Sequence, residues 1–391
     1  MARTRRPPVP PELTARIEDF LDGIGAQSDR DQLTQLLLTV ADLASDRTDR
    51  LDLKITTTAL AEMRLAFSVF APYRETPKVT IFGSARTLPE DPLYDQTRQV
   101  AAALAGRGWM VITGAGPGIM AAGLEGAGRD MSFGINIRLP FEQGANEFIA
   151  QDPKLVEMKY FFTRKLMLMK ESDGFIVLPG GFGTLDETFE LLTLMQTGKA
   201  EPSPLVLLEV EGGTYWHEWE HFVRQEVGRR GLISEDDCAL YRITDDAEEA
   251  VHEVTHFYRN YHSRRFVGDR LVMRLRSAPT DDEIASLNAE FDDIVLRGSI
   301  ERTEPLAPEV SGDDHLGMAR IAFRFDRMHH GRLRSMIDVI NALDSAPPEL
   351  EQSGDRESVA GGQPMEPDVR ARDDEEADGA YDPSSTRPPL T

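Results

Sequence analysis

The stretch "LPGGFGTLDETFELL", residues 178–192, places Gly180, Gly181, Gly183 and Thr184 just ahead of an acidic pair that opens an apolar helical pattern. Backbone N–H groups in a glycine-rich turn converge at a helix N-terminus, where the helix dipole favours negative charge. These glycines and the Thr184 hydroxyl therefore suit a phosphate. Thr184 and Glu187 also stand at the Thr-x-x-Glu spacing of a capping box, which ties off free amides at a helix start. Two readings stay open at this point: Glu187 is a cap, or it is a reactive carboxylate beside an anion-binding loop.

Upstream, "FFTRKLMLMK" is apolar on nearly every side yet carries Arg164 and Lys165. A helix of that kind is buried in a core or an interface, and charges on it need partners. Either the two cations reach solvent along their aliphatic stems, or Arg164 faces a carboxylate or phosphate at the loop edge, where its planar fork is well suited.

Other motifs compete. Residues 252–256 read "HEVTH", the H-E-x-x-H zinc pattern, and His262 follows at metzincin spacing, but Arg259 stands where that spacing needs a glycine. The apolar stripe of this segment makes it an outer amphipathic helix with solvated histidines. A zinc hydrolase at His252, Glu253 and His256 is thus the lesser alternative. "GAGPGIM" at 114–120 runs G-x-G-x-G, and the following strand ends in Arg138 without a ribose-holding acid, which argues against NAD; no P-loop motif is present.

The elements that must position these residues alternate. Strand "KVTIFGSA" feeds a tight turn, then come helix "LYDQTRQVAAALAGRG", strand "WMVITGAGPG", helix "IMAAGLEGAGRD" and strand "SFGINIRLP". A helix over "KLVEMKYFFTRKLMLMKES" follows, then strand "GFIVLPGG", helix "TLDETFELLTLMQTG", strand "PLVLLEV" and two further helices, the last near 245–261. This alternation predicts an α/β fold with a doubly wound parallel, Rossmann-like sheet, whose ligands lie at the carboxyl ends of the strands. The turns "GSA", "TGAGPG" and "PGGFGT" should then gather along one edge. Residues 1–75 predict a helical arm and 76–262 the catalytic α/β domain. A β-α-β-β-α order predicts a small α+β domain over 266–345, without a reactive constellation.

Composition narrows the class. The 391 residues hold 43 Lys and Arg against 67 Asp and Glu, a net charge of −24, which disfavours a nucleic-acid partner. From residue 346 onward 12 acids face 4 arginines in a stretch rich in Pro, Gly and Ser, the composition of a disordered acidic tail. One cysteine, Cys238, excludes an internal disulfide framework, and no long uncharged apolar run exists. The basic start lacks the apolar core of a secretory signal, so a cytoplasmic protein without membrane partners is the expectation.

With these motifs in place, the chain resembles the LOG family, the cytokinin riboside 5′-monophosphate phosphoribohydrolases often mislabelled as lysine decarboxylases. The family signature P-G-G-x-G-T-x-x-E stands complete as Pro179, Gly180, Gly181, Phe182, Gly183, Thr184, Leu185, Asp186 and Glu187, and its upstream Arg-Lys pair is matched by Arg164 and Lys165. The motif G-G-G-x-x-G-[LM]-M is altered: Thr113 and Ala115 replace two glycines, while Gly114, Gly118 and Met120 remain, as in longer bacterial variants. The resemblance spans about residues 76–262 and implies hydrolysis of a nucleoside 5′-monophosphate, AMP or an N6-modified AMP, to free base and ribose 5-phosphate. It further implies that Glu187 and Arg164 are catalytic. The phosphate would be held by the loop from Pro179 to Leu185 with Ser84, Gly118 and Lys165, and the ribose or base contacted by Glu142. No cofactor or metal is implied, and the assembly would be a homodimer or larger homo-oligomer. A non-catalytic carrier of a nucleotide or phosphate-bearing cofactor on the same fold is the alternative, since fold and phosphate loop do not by themselves establish chemistry.

Overall fold

The computed structural model describes residues 11–138 and 144–348. Glu142 and nearly all of the expected acidic tail lie outside the described residues. Three helices open the chain, α1 (Pro11–Gly23), α2 (Arg30–Ser45) and α3 (Arg50–Phe70). The chain divides into two compact units inside α3, between Arg64 and Leu65. Within the first unit, Arg30 joins α2 to α1 through ion pairs with Glu18 at 2.6 Å and Asp22 at 2.8 Å.

The described residues of the second unit form two sheets. In chain order its first elements are β1 (Lys78–Phe82), α4 (Pro92–Gly106), β2 (Met110–Thr113), α5 (Ile119–Ala127), β3 (Ser132–Ile137) and β4 (Leu155–Met158). Next come α6 (Phe161–Lys170), β5 (Gly174–Val177), α7 (Phe182–Gln196), β6 (Leu205–Leu208), α8 (Tyr215–Phe222), β7 (Arg242–Thr244) and α9 (Ala247–His256). The seven strands run in the order β4-β3-β2-β1-β5-β6-β7, and every pairing is parallel. Strands β1, β2, β5 and β6 are buried along their whole length, the continuous apolar runs expected of strands covered on both faces. Val79, Ile81, Val111, Ile176 and Val206 are fully buried in one core with Leu104 and Val254 from the flanking helices, each contributing about 1.5–3 kcal/mol. The winding reverses between β1 and β5, and the crevice beyond their carboxyl ends is where such sheets bind ligands.

Two edge strands correct the expected element list. The segment read as one helix from Lys154 to Ser172 splits: Leu155–Met158 pairs with Gly134–Ile137 of β3, burying Val156 and Met158 while Glu157 faces outward. Its period-two alternation is only four residues long and abuts the apolar helix that follows, which hid it. Strand β7 is three residues long and equally inconspicuous.

The segment expected to be helical to residue 261 also ends early, because Tyr261–Val267 forms β8. The second sheet then adds β9 (Arg270–Leu275), α10 (Asp281–Glu290), β10 (Val295–Arg302), α11 (Ala307–Ser311), β11 (Ala319–Phe325) and α12 (His330–Ala342). It is antiparallel, in the order β10-β11-β9-β8. Its core joins Leu271, Met273, Ile321 and Phe323 with Leu333 and Ile337 of α12 and with Phe257, which follows α9. Arg274 and Arg320 are buried against Glu309, at 2.9 and 3.3 Å, and Arg274 also meets Asp314 at 2.5 Å, so these charges are paired. No described helix is long and apolar enough to cross a membrane.

Candidate active site

Three turns meet beyond the carboxyl ends of β1, β2 and β5. The Ser84 N–H donates to the Pro179 carbonyl at 3.3 Å, and the Ile119 N–H donates to the Ser84 carbonyl at 3.0 Å. The first turn thus zips the other two together through its backbone. Gly118, at the N-terminal end of α5, has φ of 68°, and a Cβ there would lie 2.3 Å from the Ser84 carbonyl oxygen. Gly118 is therefore a packing residue of the junction, while the Ser84 hydroxyl is turned locally, accepting from the Arg86 N–H at 3.0 Å.

The β2–α5 turn is where the chain departs from the family motif, and the substituted residues compensate one another. Ala115 has φ of 59°, a left-handed conformation that costs a residue with a Cβ about 1 kcal/mol. The Thr113 hydroxyl accepts from the Ala115 N–H at 3.1 Å and donates to the Met120 carbonyl at 3.2 Å. From across the turn, Asn146 donates its side-chain amide to the Gly116 carbonyl at 2.8 Å and its N–H to the Ala115 carbonyl at 2.9 Å. Asn146 was not singled out in the sequence; its only signal there is its place in the loop after β3.

Arg164, on the first turns of α6, lies across this same junction. Its Nε donates to the Ile135 carbonyl of β3 at 3.0 Å, and a Cβ on Gly114 would come within 2.0 Å of its Nη2. Gly114 makes room for the guanidinium. Lys165, by contrast, faces α7, pairing with Asp186 at 2.5 Å and Glu190 at 2.8 Å. Burial works against its charge, but those two bonds outweigh it and hold its pKa above the ordinary value. The structure therefore brings Arg164 to the loops and gives Lys165 to α7.

Helix α7 starts at Phe182, its N-cap is Gly181, and no side chain caps it. The capping-box reading of Thr184 and Glu187 is thereby corrected: the helix begins two residues before Thr184. Thr184 is buried, its hydroxyl lies beside Gly180, and its carbonyl accepts from the Thr188 hydroxyl at 2.7 Å. Gly183 has open space around its Cα, Leu185 is half-buried, and Phe182 is 95% exposed. Glu187, half-buried in the second turn of α7, is left as an uncapped carboxylate. Burial pushes its pKa up to about 7, against the opposing charges of Arg164 and Lys165. A carboxyl group so poised exchanges a proton near neutrality.

The "HEVTH" helix holds no comparable arrangement. Glu253 is paired with Arg334 of α12 at 2.5 Å, and Arg334 also bonds Asp338 and stacks 4.6 Å from the Phe257 ring centroid. His252 and His256 stack on each other at 4.7 Å, whereas His262 sits on β8 against Ser263 and His315. No group of three or more His, Cys, Asp or Glu side chains that could hold a metal occurs among the described residues.

Known proteins resemble the chain over this α/β region. A family model described as "Possible lysine decarboxylase" matches residues 117–254. The cytokinin riboside 5′-monophosphate phosphoribohydrolase of Mycobacterium tuberculosis is 30% identical over 142 residues, covering 36% of this chain and 71% of that protein. One of the same name from Arabidopsis thaliana is 44% identical over 71 residues, 18% of this chain and 32% of that one. A probable one from Oryza sativa subsp. japonica is 36% identical, over 26% of this chain and 46% of its own length. The match thus spans less than half of the two plant relatives. Among solved structures, the molybdenum cofactor carrier protein from Chlamydomonas reinhardtii aligns with a TM-score of 0.34 and 20% identity, over 46% of this chain and 96% of that one. The extent of the mycobacterial match and the complete signature at the β5–α7 turn lead to one conclusion: this chain belongs to the LOG family of phosphoribohydrolases.

Proposed function

We propose that the chain hydrolyses the N-glycosidic bond of a nucleoside 5′-monophosphate, AMP or an N6-modified AMP, releasing the base and ribose 5-phosphate. The observation that carries this reading is Glu187, an uncapped, half-buried carboxylate with a pKa of about 7 beside Arg164, on the helix whose start is the glycine-rich turn. When the bond breaks, its electron pair leaves with the base nitrogen and positive charge develops on the ribose. A nearby carboxylate stabilises that charge, or takes a proton from the water that adds to the anomeric carbon. The first-turn amides of α7 and the Thr184 hydroxyl hold the 5′-phosphate, a remote anchor whose binding energy orients the reacting bond. Arg164, fixed by the Ile135 carbonyl and the Gly114 clearance, orients the carboxylate and the sugar. The other cation, Lys165, contributes through α7, where it offsets the acids flanking Glu187.

Phe161, Phe162, Phe182 and Phe189 are exposed on α6 and α7, and exposed aromatic side chains on the two helices that carry Arg164 and Glu187 favour burial by a second copy of the chain. The proposal therefore includes a homodimer, which sedimentation of the purified protein checks.

The decisive assay measures ribose 5-phosphate released from a panel of nucleoside monophosphates. Glu187→Gln is expected to lower turnover by about 10³-fold while leaving the fold intact; turnover equal to wild type sinks the assignment. Nucleotide that stays bound through purification without being cleaved would replace the enzyme by a carrier.

A further inference from the structure

We propose that Tyr215 is a positioning residue of the phosphate site, holding the glycine-rich turn in its binding shape from outside. The inference rests on the reading that this turn binds the phosphate. Its basis is one hydrogen bond and the rigidity behind it. The Tyr215 hydroxyl donates to the Gly180 carbonyl at 2.7 Å, across 35 residues of sequence and from a different helix.

The donor is itself fixed. Trp216, the next residue, is completely buried; its backbone N–H donates to Glu209 Oε2 at 3.3 Å and its indole N–H to the Leu208 carbonyl at 3.2 Å. Glu209 is buried as well and packs against Gly213. Strand β6 therefore clamps the start of α8. The Tyr215 ring meets the Trp216 ring edge-on, with centroids 4.8 Å apart and an angle of 87°. Burial raises the Tyr215 pKa, so the hydroxyl remains a neutral donor.

The acceptor is the part of the turn least able to hold itself. Gly180, Gly181 and Gly183 carry no side chains, and the Phe182 side chain is almost wholly exposed. Glycine loses more conformational freedom on ordering than any other residue. A planar trans peptide joins the Gly180 carbonyl to the Gly181 N–H, and the two point in opposite directions. Holding the carbonyl toward Tyr215 therefore aims the Gly181 N–H away from α8. One donor of the anion cradle is thus oriented before the ligand arrives, which lowers the ordering cost of binding.

The test uses the full chain, with inorganic phosphate and ribose 5-phosphate as calorimetric probes and AMP as the kinetic one. Tyr215→Phe, which keeps the ring on Trp216, is expected to weaken binding of both probes by about three- to tenfold and to raise KM for AMP by the same factor. kcat should stay within about twofold, because the hydroxyl lies behind the anchor and away from the breaking bond. Unchanged phosphate binding in Tyr215→Phe overturns the inference, and so does weakening seen only in Tyr215→Ala, which would assign the effect to ring packing. Wild-type protein that binds neither probe overturns both this inference and the phosphate-loop reading. Weakened phosphate binding in a protein that cleaves no nucleotide leaves the inference standing and removes only the hydrolase.

Discussion

The chain contains two Thr-x-x-Glu quartets at helix N-termini, and they behave as opposites. In "TDDE", Thr280 is the N-cap of α10, its hydroxyl accepts from the Glu283 N–H at 3.3 Å, and Glu283 accepts from the Thr280 N–H at 2.7 Å. Burial of Glu283 is outweighed by the bonds from the Thr280 and Ser345 amides, which hold its pKa down to about 2. In "TLDE" the helix has already begun at Phe182, so Thr184 lies inside the first turn and no such reciprocal pair forms. Among the described residues no amide donates to Glu187, and burial pushes it up to about 7. The same four-residue spacing gives a satisfied structural acid in one place and a proton-exchanging one in the other. What separates them is the register of the helix start, which the glycines of "PGGFGT" move upstream.

If that difference is functional, the largest effect should fall on turnover and on one quartet only. Glu187→Gln is expected to lose about 10³-fold in turnover, whereas Glu283→Gln should keep wild-type kcat and KM. Comparable losses in both would mean that the contrast has no catalytic content. A smaller loss is expected at Gly114→Ala, because the added methyl would meet the Arg164 guanidinium at 2.0 Å. Displacing Arg164 by an ångström should lower kcat by about 10²-fold, with little change in binding of inorganic phosphate. Equal losses in kcat and in phosphate affinity would place Arg164 on the phosphate instead of on the reacting bond.

The quartets should also pull stability in opposite directions with pH. Glu187 has a folded-state pKa of about 7, above its ordinary 4.5. The folded chain therefore retains a proton that the unfolded chain releases, and this contribution falls as pH rises from 4.5 to 7. Glu187→Gln should thus be more stable than wild type at pH 8, by an amount on the order of 1–3 kcal/mol, and near parity at pH 4.5. Urea titrations at the two pH values decide it. A variant less stable than wild type at pH 8 would mean that Glu187 holds the fold together after all.

The fold was legible wherever a residue pattern ran long enough. Apolar strands ending in glycine gave the central sheet, and the signature with Arg164 pointed to the candidate site. What escaped was short or contextual. Strands β4 and β7 have four and three residues and sit at the sheet edges, so their pairing is supplied by the neighbouring strand more than by their own composition. Lys165 follows Arg164 in sequence, but successive helix positions point about 100° apart, and α7 offers Lys165 two carboxylates. Asn146 and Tyr215 act through backbone carbonyls of distant loops, a role that leaves no trace in local spacing. The two quartets illustrate the same limit, since capping depends on where the helix begins.

The smallest effect isolates the cap itself. Thr280→Ala removes the hydroxyl that accepts from the Glu283 N–H, and loss of an N-cap of this kind costs about 1 kcal/mol. Glu283 keeps its bond from the Ser345 N–H at 3.0 Å, so its carboxylate stays anchored and its pKa stays low. Its contribution is present above the ordinary value of 4.5 and is lost as pH falls from there toward 2. Thr280→Ala should accordingly lower the urea midpoint at pH 7 while leaving the shape of the acid limb unchanged. Glu283→Gln should lower the midpoint and flatten that limb. Thr184→Ala offers the matched comparison: the Thr184 hydroxyl caps nothing, so its loss should weaken phosphate binding more than it destabilises the fold. A Thr184→Ala variant with wild-type phosphate affinity and a capping-sized loss of stability would make the two quartets equivalent.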